Sequence, residues 1–152
     1  MFKAVYAVIF VLTISIMFVP NRCSDTCMRP GISMGDLIVS YRLNKNYAQN
    51  DLTVYRNKKI NELRRVVAVK GDTVDIKDSC LIVNGYKQAE EYSVGPTNAY
   101  LGKIEFPITL KKGEVFLLAD NRENASDSRS YGPVNVNDTN GVVLVVIRHR
   151  GL

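Results

Sequence analysis

Residues that bind metals or form disulfides are scarce in this sequence of 152 residues. It contains one histidine, His149, and three cysteines, Cys23, Cys27 and Cys80. The cysteines form no CxxC pair and have no neighbours at the spacing of a zinc site, so we expect neither a metal nor another cofactor. Because the number of cysteines is odd, at least one thiol stays free unless two chains are cross-linked.

A strong charge bias is also missing. The net charge is only +5 and is scattered along the chain, and no nucleic-acid recognition motif accompanies it. These observations argue against a nucleic-acid partner, while they permit contact with anionic lipid headgroups or with an acidic protein. Apolar residues make up 46% of the chain and charged residues 23%, which is typical of a globular domain.

One long hydrophobic run stands at the beginning of the chain. Residues 4–19, AVYAVIFVLTISIMFV, carry no charge. A helix of this length extends about 24 Å, less than the roughly 30 Å hydrocarbon core of a bilayer. The alternative is a cleaved secretory signal, but the run ends in FVPNRC, which lacks the small residues of a cleavage site. The sequence therefore predicts a membrane anchor over residues 1–22 and a second domain over 23–152.

The remainder of the sequence lacks the apolar periodicity of long helices and instead predicts strands. Short β-branched runs alternate with turn signals, among them Asp78-Ser79 and Asn84-Gly85. We expect a mainly β fold, with a coiled or barrel-like antiparallel sheet behind one N-terminal transmembrane helix. The predicted strands cover residues 36–42, 52–56, 63–69, 71–76, 80–83, 115–120 and 141–150.

Four motifs carry a resemblance to a known family. In order they are CMRPGI and GD within residues 27–36, DLTVY at 51–55, RRVVAVKGD at 64–72 and ADNRENASDSR at 119–129. Together they resemble the type I signal peptidases, membrane-bound serine endopeptidases that remove signal peptides from secreted preproteins. The resemblance implies the fold of that family and a single-pass protein of the cell membrane, with its β domain on the outer, extracytoplasmic face.

The catalytic positions of that family are altered in this chain. The resemblance puts Cys27 at the nucleophile position, where an ionised thiol can replace a hydroxyl. Arg64 takes the general-base position, but a guanidinium does not lose its proton in a protein and cannot act as a base. Ala125, with Ser126 beside it, stands where a serine would orient the base, and Asp25 stands where a serine would donate to the oxyanion.

The scaffold positions of the motifs are retained. Asp127 and Arg129 are expected to form an ion pair near the site, and Met28 and Pro30 to shape the chain beside the substrate groove. The predicted groove and support residues are Asp25, Met28, Pro30, Asp120, Asn121, Arg122, Ala125, Ser126, Asp127, Ser128 and Arg129.

Two functions fit this pattern. The first is a signal peptidase I-like endopeptidase with altered catalytic positions, acting on exported preproteins through Cys27. The second is a non-catalytic binding module or chaperone for exported or pilin-like surface proteins. Residues 41–47 and 147–151 are similar to the branch of the family that serves pilus assembly in Gram-positive bacteria. Membrane lipid is the other expected partner.

The reactivity of Cys27 depends on what surrounds it. We expect Arg64, across the groove, to lower the pKa of the Cys27 thiol, because an adjacent cation favours the thiolate. Two alternatives remain open. One is a dyad between Cys27 and His149, and the other is a disulfide to a second cysteine, which would silence the thiol.

We expect residues 4–19 to remain attached to the mature protein, because no cleavage pattern follows them. N-terminal sequencing of the protein purified from membranes should begin at or near Met1. A sequence that begins beyond Arg22 would show that the segment is a removed signal.

Overall fold

The computed structural model describes residues 2–58, 60–101, 104–123 and 125–149. In these residues one helix precedes a succession of short strands. The elements are α1 (Phe2–Met17), β1 (Phe18–Arg22), β2 (Leu37–Tyr41), β3 (Leu52–Asn57), β4 (Ile60–Ala68), β5 (Thr73–Lys77), β6 (Cys80–Val83), β7 (Tyr86–Lys87), β8 (Ile108–Thr109), β9 (Glu114–Leu118), α2 (Ser128–Tyr131), β10 (Val134–Asn135), a 3₁₀ turn (Val136–Asp138) and β11 (Thr139–Ile147).

The strands form two antiparallel sheets. The larger sheet has the order β1-β2-β11-β3-β4-β9-β10, and the smaller one has the order β7-β6-β5-β8. Asp78 and Ser79 join β5 to β6 with positive φ angles of 51° and 59°, and Asn84 and Gly85 join β6 to β7 with 54° and 82°. Two successive residues with positive φ are the geometry of a type I′ hairpin turn, so both predicted turns are confirmed.

The larger sheet does not close on itself in the described residues. The Asn61 side chain on β4 donates to the Asn21 side-chain oxygen on β1 at 3.1 Å, and Ser24 donates to the Asn61 carbonyl at 3.1 Å. Both contacts are made by side chains. The backbones of β1 and β4 are not paired with each other in the described residues. The predicted mainly β, antiparallel fold is confirmed, whereas the barrel-like sheet is corrected to two open sheets.

The hydrophobic run at the beginning of the chain is divided between a helix and a strand. Helix α1 ends at Met17, and Phe18–Arg22 pair with Leu37–Tyr41, so the sheet begins inside the predicted anchor 1–22. Within the described residues, no helix combines the length and the apolarity needed to cross a membrane. The predicted transmembrane helix is therefore not found, and attachment to a membrane stays a prediction.

Two parts of the core position the site. One lies between the two sheets and joins β4 and β9 to β5 and β6. The other lies under the connection from β1 to β2 and holds that connection against β3 and β4. The first contains Val67, Ala68, Val74, Leu81, Val83, Leu110, Phe116 and Leu118, and the second contains Cys23, Met28, Ile32, Ile38, Val54 and Leu63.

We expect Gly141→Ala to destabilise the fold by about 3 kcal/mol or more. Gly141 has a φ of +86°, and a Cβ atom there would lie 2.1 Å from the backbone oxygen of Tyr41 on the paired strand. Gly113 is a matched control, because it has a φ of +83° but no atom within 4 Å of such a Cβ. Gly113→Ala should therefore cost only about 1–2 kcal/mol.

The measurement is urea unfolding of the full chain in neutral detergent, followed by circular dichroism. Equal losses in the two variants would show that β2 and β11 can separate locally to accept the methyl group.

Candidate active site

The connection between β1 and β2, residues 23–36, carries Cys27. Its two ends are tied together, because the Cys23 amide donates to the Asp36 carbonyl and the Gly35 amide donates to the Cys23 carbonyl, each at 2.9 Å. The Asn121 amide donates to the Cys27 carbonyl at 2.8 Å. This bond joins the first sequence motif to the fourth and fixes the backbone at Cys27.

Arg64 lies on β4 and is almost completely buried, with 1% of its surface exposed. Its Nη1 donates to Asp25 Oδ2 at 2.9 Å and to the Leu63 carbonyl at 2.6 Å, and its Nε donates to the Ser126 carbonyl at 2.9 Å. Nη2 lies 3.3 Å from Glu62 Oε2. The cation is thus held between two carboxylates and two carbonyls, which offset the cost of its burial.

Asp25 connects Arg64 to the backbone of Cys27. Its Oδ1 accepts the Cys27 N–H at 3.2 Å, while its Oδ2 accepts from Arg64. The N–H next to a nucleophile is the donor that an acyl-transfer enzyme aims at the developing oxyanion. In this site the Asp25 carboxylate takes that N–H and places a negative charge next to the Cys27 backbone.

The chain matches the protein family described as signal peptidase, peptidase S26, over residues 1–147. It belongs to this family. The resemblance seen in the four motifs is therefore confirmed at the level of the family, while the similarity to a pilus-assembly branch stays a prediction.

This S26 family member is similar in sequence to bacterial and chloroplast peptidases. The chain is 31% identical over 131 residues to signal peptidase I of Bacillus caldolyticus, covering 76% of this chain and 71% of that protein. It is 26% identical over 151 residues to thylakoidal processing peptidase 1, chloroplastic, of Arabidopsis thaliana, covering 86% of this chain but 43% of that protein. The chain thus spans less than half the length of the thylakoidal relative.

A solved structure supports the same fold. The crystal structure of a signal peptidase I from Enterococcus faecalis superposes with a TM-score of 0.53 at 25% identity, covering 66% of this chain and 99% of that chain. The antiparallel sheets described above are thus a signal peptidase I-like fold.

The Cys27 thiol has a raised pKa, so the predicted low value is wrong. Burial raises the pKa most, the Arg64 charge lowers it, and the charge of Asp25 and a hydrogen bond to its carboxylate raise it again. Asp25 pairs with Arg64, so the ion pair that holds Arg64 also brings a negative charge to the thiol.

Arg64 stays charged in this environment. Burial disfavours its charge, but the Asp25 and Glu62 carboxylates outweigh burial, and the guanidinium pKa is raised. Burial also raises the pKa of Glu62, against the opposing effect of Arg64. No group with the chemistry of a neutral general base thus stands at the Arg64 position.

The retained charges of the fourth motif form three ion pairs, which are Asp120 with Arg65, Asp127 with Arg129 and Arg122 with Glu90. Asp120 accepts from Arg65 Nε at 2.8 Å and Nη2 at 2.7 Å. Asp127 caps α2 by accepting the Arg129 amide at 3.1 Å, and its Oδ2 accepts from Arg129 Nη2 at 2.8 Å. The predicted Asp127–Arg129 contact is therefore present, and its two members are 0% and 1% exposed.

The other predicted support residues surround these pairs. Arg122 is buried, donates to the Ala119 carbonyl at 2.6 Å and pairs with Glu90. Ser128 accepts the Leu117 amide at 3.0 Å. These contacts hold the segment 119–129 against β9, so it can supply Asn121 and the Ser126 carbonyl to the site.

The remaining predicted positions differ in their exposure. Met28 is fully buried and belongs to the core, whereas Pro30 is exposed. Ala125 is buried and offers only its carbonyl, which accepts from Tyr100 at 2.8 Å, and the Ser126 side chain is exposed. Their roles in binding stay predictions.

The two alternatives for Cys27 find no support in the described residues. The backbone amide of His149 donates to Asp36 Oδ1 at 2.8 Å, and no hydrogen bond between His149 and Cys27 is present in that part of the chain. Cys23, Cys27 and Cys80 are all free thiols.

Sequence reasoning missed Glu62 and Tyr131. Glu62 precedes Arg64 by two residues on β4, and this spacing puts both side chains on one face of a strand. The alternation along β4 is therefore a sequence signal that predicts Glu62 beside Arg64. Tyr131 has a buried hydroxyl without a hydrogen-bond partner in the described residues, and burial raises its pKa. Nothing in the sequence motif predicts this burial.

We expect Asp25→Asn to lower the pKa of Cys27, because the substitution removes a neighbouring negative charge and leaves Arg64 in place. The measurement is the pH dependence of Cys27 alkylation, read by mass spectrometry of the Cys27 peptide. In the unmodified chain the midpoint should lie above that of the same cysteine in the urea-unfolded chain, and in Asp25→Asn it should fall.

Asp78→Asn is the control, since Asp78 lies in the turn between β5 and β6. If Asp78→Asn shifts the pH midpoint of Cys27 alkylation as far as Asp25→Asn does, the effect of Asp25 is not a local one.

Proposed function

We propose that this chain binds exported preproteins in a signal-peptidase-type groove and does not hydrolyse them by Ser/Lys chemistry. The observation that carries the proposal is the Asp25 carboxylate, which bridges the Cys27 N–H and the Arg64 guanidinium. Pilin-like surface proteins are the alternative class of partner for the same groove.

Each requirement of acyl transfer is opposed by this arrangement. The nucleophile position holds a thiol whose pKa is raised by burial and by Asp25. The base position holds a guanidinium that remains protonated. The oxyanion donor is engaged by a carboxylate, whose charge would repel the negative oxygen of a tetrahedral intermediate.

A groove beside the first motif supports the binding half of the proposal. It has a volume of about 300 Å³ and combines apolar side chains with one ion pair. Arg65 forms this pair with Asp120 and also lies over the Tyr92 ring, 3.7 Å from its centroid. The residues that line it are Gly31, Ile32, Leu52, Arg65, Tyr92, Asp120, Val146 and Arg148.

Family membership supports the class of partner. Relatives such as the one from Bacillus caldolyticus are named signal peptidase I, and the proposed partner is therefore the region of a preprotein around its signal peptide. The proposed location is the outer face of the cell membrane, with residues 1–22 attached to the bilayer. The exposed apolar side chains of α1, such as Phe10 at 65% and Tyr6 at 70%, support this location.

Cleavage through Cys27 is the second candidate. Arg64 favours the thiolate electrostatically, and this is the one observation in its support. The route requires Asp25 to leave the Cys27 N–H, and it still lacks a group that takes the thiol proton and gives it to the leaving amine.

The test combines binding and cleavage with one fluorescent preprotein peptide and the full chain in neutral detergent. We expect the peptide to bind without cleavage, and Cys27→Ala to bind equally well. Tyr92→Ala should weaken binding by about tenfold, because Tyr92 lines the groove. Tyr86→Ala is the matched control, since Tyr86 is 75% exposed on β7 and is not one of the groove residues.

A cleavage product that disappears in Cys27→Ala would replace the binding module with a cysteine peptidase. Cleavage that survives Cys27→Ala would mean that the reaction occurs at another site. Equal binding by Tyr92→Ala and the unmodified chain would remove the groove from the proposal.

A further inference from the structure

A second cleft lies outside the candidate active site, and half of the residues that line it are basic. It has a volume of about 500 Å³ and lies between the end of β2, the hairpin of β3 and β4, and the 3₁₀ turn. This cleft is here called the basic cleft, because four basic residues line it: Arg42, Lys45, Arg56 and Lys58. Asp138 is the one acidic residue among the described residues of its lining.

The cations of the basic cleft are not neutralised within the described part of the chain. None of the four takes part in an ion pair there, whereas Arg64, Arg65, Arg122 and Arg129 all do. Lys45 donates to a neutral acceptor, the Asn137 carbonyl, at 3.2 Å. Burial lowers the pKa of Lys45, Asp138 opposes this effect, and the nearby charge of Arg42 adds to it. An anion in the cleft would relieve this crowding of like charges.

The basic cleft begins where the apolar helix ends. The Arg42 amide donates to the carbonyl of Met17, the last residue of α1, at 2.9 Å. Two exposed apolar side chains flank the cations. Leu43, which follows Arg42, is 62% exposed, and Ile60, which pairs with Asn57 across the hairpin end, is 60% exposed.

We propose that the basic cleft binds the phosphate-bearing headgroup of an anionic membrane lipid. Four cations supply the charge that a phosphate needs, and α1, Leu43 and Ile60 supply apolar contacts for acyl chains. A soluble anion would use the charges but not the apolar surface, which is why the lipid is the assigned occupant. The bound lipid would hold the β domain at the bilayer surface.

This inference rests on the proposed location at a membrane but not on the proposed binding of preproteins. The basic cleft shares no residue with the groove around Tyr92 and contains neither Cys27 nor Arg64. Loss of peptide binding in the preceding experiment and loss of lipid binding in the next one are therefore separate results.

The test is a titration of the ¹⁵N-labelled full chain in neutral maltoside micelles, followed by backbone amide chemical shifts. The titrants are a short-chain phosphatidylglycerol, the phosphatidylcholine with the same acyl chains, and inorganic phosphate. We expect phosphatidylglycerol to shift the amides of the basic cleft at the lowest concentration of the three. Arg42→Gln/Arg56→Gln/Lys58→Gln should weaken this binding by about 100-fold, at roughly fivefold for each cation near an anionic surface.

The matched control removes three charges elsewhere, with Lys77→Gln/Lys87→Gln/Lys111→Gln on exposed positions outside the cleft. It should bind phosphatidylglycerol within about twofold of the unmodified chain, since these positions do not contact the ligand. An equal loss in the control would show that only net charge matters. Equal binding of phosphatidylcholine, or of inorganic phosphate, would overturn the assignment of an anionic lipid.

Discussion

The buried guanidinium of Arg64 is the constraint on which the rest of the site depends. A cation that is 1% exposed must find anions and carbonyl oxygens within the protein, since burial without partners would cost several kcal/mol. Asp25 and Glu62 supply the charges, and Leu63 and Ser126 supply the carbonyls. Meeting this need draws Asp25 onto the Cys27 amide, so the stability of the core and the state of the active site are linked.

The same principle organises the loops around the site. Arg122 with Glu90, Arg129 with Asp127, and Arg65 with Asp120 are ion pairs in which at least one partner is almost fully buried. Breaking such a pair leaves an unpaired buried charge, so substitution of any of these buried charges should be strongly destabilising. These pairs place the fourth motif next to Cys27 and Arg64 in a signal peptidase I-like fold, and this is the framework on which the proposed binding function rests.

Much of the fold could be predicted from alternation and turn residues. The strands β2, β3, β5, β6 and β9 lie within or next to their predicted ranges, because each is a short run rich in apolar residues between turn or loop signals. Strand β1 could not be predicted. Its residues, Phe18–Arg22, continue a hydrophobic run and include a proline, and only pairing with β2 makes them a strand. The extent to which the larger sheet closes was equally inaccessible, because it depends on the accumulated twist and on contacts such as Asn61 with Asn21.

The sequence by itself determined the chemistry of the side chains at the positions that the family resemblance assigns. An arginine cannot act as a base and an aspartate carboxylate cannot donate a hydrogen bond, because side-chain identity alone decides whether a group can accept or donate a proton. The tertiary structure decided the state of Cys27. Its pKa is a balance in which burial raises the value most, Arg64 lowers it, and Asp25 raises it again. A sequence contains the charges but not the distances between them, and Coulomb interactions and desolvation depend on those distances.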